Sequence, residues 1–332
     1  MWSGIGVTTS ADARLVFVDR ALLGGSKAFG GLEQIAGTSE MTTHSDSPPS
    51  LGVESEFFGH RHVTQIDSRM RTLATDLREA WAYRDLLVML IQRDVTVRYK
   101  QSVVGIAWAV IQPLTMMLIF TVVFGGFAKL PSDGVPYPLF AMAALMPWLY
   151  FSRALTGSGD SLVGSAHLVS KVYFPRIILP IGKAISSLVD LAITLGLAAV
   201  LLAWYGINPG WKVLTLPLFV LMAMFTSLAV GLWLTALNVR YRDVGLVTPF
   251  IIQIWMYVSP IAYSTTIVPE TWRWLYALNP IVGVVEGFRW ALFGRELPAL
   301  EPILISYSVV ALLFVTGLRY FRRVEQTMVD VV

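Results

Sequence analysis

The sequence predicts an all-α integral membrane protein with six transmembrane helices, an N-terminal amphipathic helix and a re-entrant helical pair at the outer surface. Its 332 residues are 55% hydrophobic and only 14% charged, with a mean hydropathy of +0.63. This balance is too apolar for a soluble protein of this size. Uncharged runs long enough to cross a bilayer recur along the chain. Lysine and arginine collect near the ends of these runs, where they set the orientation of a membrane protein.

The composition also excludes several kinds of site. The chain contains no cysteine, so disulfides and thiolate metal sites are excluded, and its four histidines are too scattered to suggest a metal centre. The phosphate-binding pattern G-x-x-x-x-G-K-[ST] is absent, because Ala184 follows the one Gly-Lys pair, Gly182-Lys183. We therefore expect no nucleotide site, cofactor or metal in this chain, no enzymatic activity of its own and no nucleic-acid partner.

Residues 1–65 differ in composition from the rest of the chain. They are rich in Gly, Ser and Thr, contain the run Ser47-Pro48-Pro49-Ser50, and have only short apolar runs that cannot cross a bilayer. We expect a poorly ordered N-terminal extension. No basic stretch precedes an apolar core there, so a secretion signal is not predicted.

Residues 66–101 are predicted to lie at the inner membrane surface as an amphipathic helix, with the helix itself over 72–101. Apolar residues recur along one side at helical spacing: Leu73, Leu77, Trp81, Leu87, Ile91 and Val95. The basic end of the helix, with Arg93, Arg98 and Lys100, leads directly into the first span. Because basic residues collect on the cytoplasmic side, we expect this end to be cytoplasmic.

Residues 102–332 are predicted to form the transmembrane domain. Charge-free length defines six spans: 103–128, 135–152, 177–205, 213–237, a run from 245 to the break at Ser259-Pro260, and 302–318. Basic residues near the span ends lie in three connections: 153–176, 240–242 and 319–323. These connections are therefore expected on the same side as the amphipathic helix, with both termini cytoplasmic.

Two charges interrupt the third predicted span. Lys183 and Asp190 lie seven residues apart and so on roughly one face of a helix. Charged side chains at this depth cannot face lipid. They can neutralise each other or face a polar cavity, and a structural ion pair and a role in transport are both consistent with the sequence.

Residues 261–300 are apolar, yet they cannot form a span. Charged residues divide them into pieces too short to cross a bilayer: Glu270, Arg273, Glu286 and Arg289. Backbone that enters the membrane and returns is stable only when it is buried in protein or lines an aqueous cavity. We predict two half-helices separated at Asn279-Pro280 on the outer side. The alternative is an interfacial hairpin anchored by aromatic side chains: Trp272, Trp274, Tyr276 and Trp290.

The run SLVGSAHLVSKVYFPRIILP, residues 161–180, connects the second and third predicted spans and is more apolar than an ordinary cytoplasmic loop. Residues near helical spacing predict a short surface helix: Leu162, Val163, His167 and Ser170. Pro175 ends this helix before the next span. Such a helix can dock a partner protein or lie on lipid headgroups, and the periodicity does not separate the two.

Five stretches follow one another in a recognisable order: RDVTVRYKQSVVGIAWAVIQP, LVSKVYFPRIILP, ALNVRYRDV, SPIAYS and LNPIVGVVEGFRWALFG. With this order and spacing the chain resembles the membrane subunit of polysaccharide ABC exporters, the type-2 permeases of O-antigen and teichoic-acid export systems. The resemblance covers about residues 71–332. Residues 1–65 have no counterpart in it.

The resemblance implies a homodimer of six-span subunits in the bacterial inner membrane, joined to two copies of a separate ATPase that binds ATP and Mg. It implies a lipid-linked polysaccharide of the O-antigen type as cargo, with teichoic acid or another lipid-linked glycan as the alternative. The amphipathic helix would be a gate helix, with these residues: Trp81, Arg93, Arg98, Tyr99 and Lys100. The 161–180 segment would be a coupling helix that docks on the ATPase through these: Leu162, His167, Leu168, Val169, Ser170 and Lys171.

A glycan pathway needs aromatic faces that tolerate many sugars. The candidates are Trp108, Phe120, Phe124, Trp148, Tyr150, Trp255, Tyr257 and Tyr263. Each can instead face lipid or pack in the core. A secondary transporter would show internal repeats or paired broken helices, and the sequence has one broken element. A membrane enzyme would need a polar catalytic cluster on an inner loop, where Asp160 and Asp243 are solitary.

Overall fold

The computed structural model describes residues 81–100, 107–241, 243–294 and 300–327, which belong to one compact unit, Ser68–Val332. Within the described ranges every regular element is a helix, so the prediction of an all-α fold is confirmed. The predicted extension over residues 1–65 and the part of the amphipathic segment before residue 81 lie outside the described residues.

The helices are α1 Arg84–Lys100, α2 Ala107–Phe120, α3 Tyr137–Asp160, α4 Ala166–Val169, α5 Ile178–Ser186, α6 Leu188–Trp204, α7 Leu216–Arg240, α8 Asp243–Val258, α9 Glu270–Ala277, α10 Val282–Phe293 and α11 Leu300–Thr327. A π-helical stretch, Thr121–Phe127, extends α2, and 3₁₀ turns cover Val163–Ser165, Gly210–Thr215 and Thr265–Ile267. We call the end of the helix bundle that carries α1 the α1 end, and the end with the turn at Asn279 the Asn279 end.

Five helical segments are long and apolar enough to cross a membrane: Ala107–Phe127, Tyr137–Asp160, Ile178–Trp204, Gly210–Arg240 and Glu301–Gln326. The chain is therefore a multi-pass membrane protein. The remaining predicted span, α8, has 16 residues. At about 1.5 Å per residue it is roughly 24 Å long, shorter than the hydrocarbon core of about 30 Å. It ends at Val258, where the sequence predicted a break.

The third membrane-crossing segment is divided into α5 and α6, although the sequence predicts it as one continuous helix. The division falls at Ser187, between Ser186 and Leu188. The hydroxyls of Ser186 and Ser187 both donate hydrogen bonds to the carbonyl oxygen of Lys183, at 3.0 and 2.9 Å. Serine hydroxyls that bond to the preceding turn compete with the helical hydrogen bonds, and they account for the break.

α3 lies at the centre of the bundle. Every residue from 139 to 151 is buried, because the helix is apolar on all sides and packs against α5, α6, α7 and α10. The approach of α7 depends on small residues, since a Cβ at Gly231 would lie only 3.0 Å from that of Ser158. The Thr235 hydroxyl then donates to the Ser158 carbonyl oxygen at 2.7 Å.

Two glycines allow α10 to enter the bundle. Gly283 and Gly287 lie one helical turn apart, and α10 packs against α3, α7 and α11. A Cβ at Gly287 would lie 2.1 Å from the ring of Phe219 in α7, and one at Gly283 would lie 3.2 Å from Ser306 in α11. The small-x-x-x-small spacing therefore allows α10, the second half of the predicted re-entrant pair, to pack closely in the bundle.

Replacing Gly287 by Ala should destabilise the bundle. The added methyl group overlaps the Phe219 ring, and overpacking of this kind costs about 1–3 kcal/mol. The thermal midpoint of the detergent-solubilised chain should fall. Gly196→Ala is the matched control, because a Cβ there meets no atom within 4 Å. Equal thermal midpoints for the two variants would contradict the packing argument.

Candidate functional site

α1 rests on the bundle through one narrow apolar side. Leu90 is buried, and Leu86 and Leu87 are partly buried. They belong to a cluster that also contains Phe174 and Ile178, the first residue of α5. The opposite side of α1 is open. A helix held by so few apolar contacts needs a further attachment, and charged side chains supply it.

The third membrane-crossing segment and α1 are joined by two sets of ion pairs. Lys183 Nζ lies 2.8 Å from Asp94 Oδ2. Asp190 accepts from the guanidinium of Arg98 and the hydroxyl of Tyr99. Lys183 and Asp190 therefore pair with α1 and not with each other, so of the possibilities left open by the sequence, mutual neutralisation is wrong.

Asp190 is the most enclosed member of this arrangement, with 4% of its surface exposed. Arg153 of α3 supplies a second cation, with Nη1 at 2.7 Å from Asp190 Oδ1. Arg153 is itself fixed by Gln112 of α2, whose Oε1 accepts from Nη2 at 2.5 Å. We call this group the charge cluster: Asp94, Arg98, Tyr99, Gln112, Arg153, Lys183 and Asp190. It connects α1, α2, α3, α5 and α6.

The charge cluster holds Tyr99 in its protonated form. Burial, and then the hydrogen bond to Asp190, raise the pKa of Tyr99 to about 12. The phenol therefore remains a hydrogen-bond donor across the physiological pH range. Two of the predicted gate residues, Arg98 and Tyr99, contact Asp190. Trp81, Arg93, Arg98 and Lys100 are all exposed. Arg93 forms an ion pair with its neighbour Asp94, at 3.1 Å.

The segment that the resemblance assigns to coupling, residues 161–176, is named the coupling segment after that prediction. It is a broken helix and is shorter than the sequence predicts. Its ends turn inward, since Leu162 and Phe174 are each 4% exposed, and Leu168 and Val169 pack against the same cluster as Leu90. Because both ends are buried, the helical part between them is limited to the 3₁₀ turn Val163–Ser165 and the four residues of α4. The outward side is formed by Val163, His167, Ser170, Lys171, Val172 and Tyr173.

Both ends of the coupling segment are held by residues that the sequence did not single out. Asn238, near the end of α7, donates from Nδ2 to the Gly159 carbonyl oxygen at 3.0 Å and to Asp160 Oδ1 at 3.1 Å. Arg176 donates from Nη1 to the carbonyl oxygen of Glu325 in α11 at 3.1 Å. The segment is therefore fixed to the last helix at one end and to α7 at the other.

At the Asn279 end, the side chain and the backbone carbonyl group of Asn279 together join α8, the turn after it and α11. Asn279 Oδ1 accepts from Trp255 Nε1 of α8 at 2.9 Å, and its Nδ2 donates to Ser259 Oγ at 3.0 Å. Its carbonyl oxygen accepts from Ser306 Oγ of α11 at 3.2 Å. The predicted separation of two short helices at Asn279-Pro280 is confirmed, with α9 before it and α10 after it.

Arg289 and Glu286, the other predicted intramembrane charges, pair on α10. Arg289 Nη1 lies 3.1 Å from Glu286 Oε1, and the guanidinium lies 3.8 Å from the ring centre of Phe140. It also donates to the carbonyl oxygens of Tyr263 and Ile261, at 3.4 and 3.3 Å. These contacts tie α10 to the chain that follows α8.

The predicted pathway aromatics occupy different environments. Phe120, Trp148 and Tyr150 are buried in the bundle core. Phe124 and Trp255 are half-buried, with ring contacts to Phe120 at 5.2 Å and Phe151 at 5.3 Å. Tyr263 accepts a hydrogen bond from the hydroxyl of Tyr276 at 3.0 Å. Trp108 and Tyr257 are 59% and 58% exposed. A pathway role stays a prediction for all eight.

Comparison with known protein families gives a match over the part of the chain that contains the charge cluster and the turn at Asn279. The profile of the ABC-2 type transporter family matches residues 85–293, from α1 to the end of α10. The chain belongs to the ABC-2 type transporter family. Its charge cluster and its Asn279 turn are therefore features of an ABC-2 permease domain.

Curated relatives of this ABC-2 permease include two proteins named O-antigen export system permease protein RfbA. The one from Myxococcus xanthus is 32% identical over 254 residues, which cover 75% of this chain and 96% of the relative. One from Klebsiella pneumoniae is 28% identical over 248 residues, 74% of this chain and 95% of the relative. The polysialic acid transport protein KpsM of Escherichia coli is 24% identical over 72% of this chain and 93% of its own.

The charge cluster should hold α1 against α5. A Cβ at Gly182 would lie 3.5 Å from Leu87 Cδ1, and the chain has no native cysteine, so Leu87→Cys with Gly182→Cys should cross-link readily in membranes. Adding Asp190→Asn should slow this cross-linking several-fold. The substitution leaves two clustered cations without their carboxylate, and breaking a buried ion pair costs about 3–5 kcal/mol.

Asp85→Asn is the matched control for this measurement. Asp85 lies on the same helix, but its carboxylate is 93% exposed, so its loss should leave the cross-linking rate unchanged. If Asp190→Asn cross-links as fast as this control, the ion pairs to Asp190 do not hold α1 against α5.

Proposed function

We propose that this ABC-2 permease is the membrane subunit of an ATP-driven exporter that moves a lipid-linked polysaccharide of the O-antigen type across the bacterial inner membrane. One observation carries the proposal, namely the extent of the similarity. Relatives named for O-antigen export and polysialic acid transport align over 72–75% of this chain and 93–96% of their own length. The aligned length is enough to include the whole transmembrane part of the chain.

The energy for export comes from a separate subunit in this proposal. The sequence has no phosphate-binding loop, so ATP and Mg are assigned to two copies of an ABC ATPase. A second copy of the permease completes the assembly. The permease itself is then a non-enzymatic subunit that converts movement of the ATPase into movement of its helices.

The α1 end is assigned to the cytoplasm. It carries Arg98, Arg153, Arg176 and Lys183, and the excess of basic residues near span ends on the cytoplasmic side supports this orientation. Both termini then lie in the cytoplasm, and the Asn279 end faces outward.

The coupling segment is assigned as the contact with the ATPase. Its exposed side presents Val163, Val172 and Tyr173, which are each about half exposed, beside the polar His167 and Lys171. It connects α3 directly to α5. Because α5 carries Lys183, a displacement of the segment acts on the ion pair to Asp94 and so on α1.

Teichoic acid or another lipid-linked glycan is the alternative cargo. The similarity to a polysialic acid transport protein supports this alternative, because that relative is named for a polysaccharide other than O-antigen. A secondary transporter has less support. The four intramembrane charges pair within the chain: Lys183, Asp190, Glu286 and Arg289. None of these four is thereby left to bind a coupling ion.

Loss of this chain should stop export. In a strain that lacks it, the polymer should disappear from the cell surface and accumulate as a lipid-linked form inside, and the wild-type chain should restore it. The double variant Val163→Asp/Tyr173→Asp should neither restore export nor retain the ATPase in a pull-down, because it places two carboxylates in the docking surface. Both side chains are exposed in the permease alone, so it should still fold.

Two comparisons make this test specific. Ile267→Asp changes an apolar side chain that is 45% exposed at the Asn279 end, and it should keep the ATPase bound. Leu168 and Val169 are unsuitable probes of docking, since they pack on their own chain. Unchanged surface polymer in the strain without this chain would refute the proposed function, and normal export by the double variant would refute the assigned docking surface.

A further inference from the structure

A cavity of about 800 Å³ opens at the Asn279 end of the permease. Its walls include the connection before α3 with Asp133, the 3₁₀ turn with Thr265, α9 with Tyr276, α10 with Glu286 and Arg289, α3 with Phe140 and the start of α11 with Ile303. The volume lies within the range of about 300–1,000 Å³ that is typical of small-molecule sites. The cavity is separate from the charge cluster, whose residues do not line it.

The charges that line the cavity balance. Asp133 and Glu286 supply two carboxylates, and Arg273 and Arg289 supply two guanidinium groups. Each is engaged in part: Asp133 accepts from Ser264 at 2.6 Å, and Arg289 lies on Glu286. Such a wall attracts neither an anion nor a cation strongly. It also disfavours a lipid acyl chain, which would cover these groups without bonding to them.

Two buried N–H groups of the wall residues lack a partner. Arg289 Nε and Trp290 Nε1 are buried, and within the described part of the chain neither has a hydrogen-bond partner. Arg289 is 6% exposed overall. Buried donors of this kind are rare in folded proteins, because an unmade hydrogen bond costs free energy. A small rearrangement of these side chains toward a ligand with acceptor oxygens would satisfy both.

Aromatic rings stand beside these polar groups. Tyr276, Trp290 and Phe293 line the same cavity as the carboxylates and the Thr265 and Thr266 hydroxyls. A pyranose unit matches this combination, since its C–H faces cover aromatic rings while its hydroxyls both donate and accept hydrogen bonds.

We propose that this cavity is a saccharide-binding site, which holds a short segment of the exported glycan at the outer face of the permease. The proposal rests on the proposed function and adds to it the place where the exported glycan binds. It holds sugar units at the outer end of the membrane-crossing part, on the side where the polymer leaves.

The test is binding of neutral trisaccharides to the full-length chain in nanodiscs. Maltotriose, cellotriose and triacetylchitotriose serve as probes, with saturation-transfer NMR to detect binding and calorimetry to measure Kd. At least one should bind with a Kd below about 10 mM. Tyr276→Ala removes an aromatic wall, and Thr265→Trp fills the cavity without deleting a packed side chain. Each should weaken binding about tenfold or more.

Trp274→Ala is the matched control. Trp274 lies on the same helix as Tyr276, is 59% exposed and does not line the cavity, so its loss should leave Kd unchanged. The inference is wrong if no probe binds, if Thr265→Trp binds as well as the wild type, or if native mass spectrometry shows a phospholipid that only the cavity-filling variant loses.

The same nanodiscs are tested for binding of the partner ATPase, which separates the two proposals. Preparations that bind the ATPase but none of the trisaccharides contradict the saccharide site alone. Preparations that bind trisaccharides but no ATPase support the site and contradict the assembly on which the proposed function depends.

Discussion

The buried carboxylate of Asp190 is the constraint on which the α1 end of this permease depends. A carboxylate with so little access to water is stable only beside positive charge and hydrogen-bond donors. The groups that supply these come from α1 and from α3, with Arg98, Tyr99 and Arg153 converging on a single side chain. Placing Asp190 in the bundle therefore fixes where α1 and α3 lie relative to α6.

This constraint connects the surface of the permease to its centre. The coupling segment is anchored at one end by Asn238 and at the other by Arg176, and it joins α3 to α5. α3 is the buried centre of the bundle and carries Arg153, and α5 carries Lys183. A displacement of the segment would therefore act on the charge cluster through Arg153 of α3 and through Lys183 of α5. At its far end α3 places Phe140 against Arg289, so the central helix contacts both functional ends.

Much of this arrangement follows from the sequence. Charge-free length gives the long spans, and the charges within residues 261–300 together with Asn279-Pro280 give the two short helices and the turn between them. The spacing of Gly283 and Gly287 also indicates that α10 packs closely against its neighbours. These features are local, since each depends on periodicity or on residues close together in the chain.

The features that the sequence could not give depend on contacts between distant parts of the chain. Periodicity places Lys183 and Asp190 on one face of a helix, but it does not say that α1 lies opposite. The coupling helix is shorter than its periodicity suggests because Leu162 and Phe174 both turn into the core. Asn238 and Arg176 looked like ordinary polar residues near span ends, since their partners lie 79 and 149 positions away.

We propose that export requires α1 to be held on the bundle by ion pairs, and a charge exchange between Asp94 and Lys183 tests this requirement. Asp94→Lys and Lys183→Asp, each alone, replace the 2.8 Å ion pair between Lys183 and Asp94 by two like charges, whereas the double variant restores an opposite pair with its sign reversed. Surface polymer should be lost in each single variant and recovered in the double variant, with equal amounts of permease in the membrane. Normal export by the single variants, or no recovery in the double variant, would contradict the account.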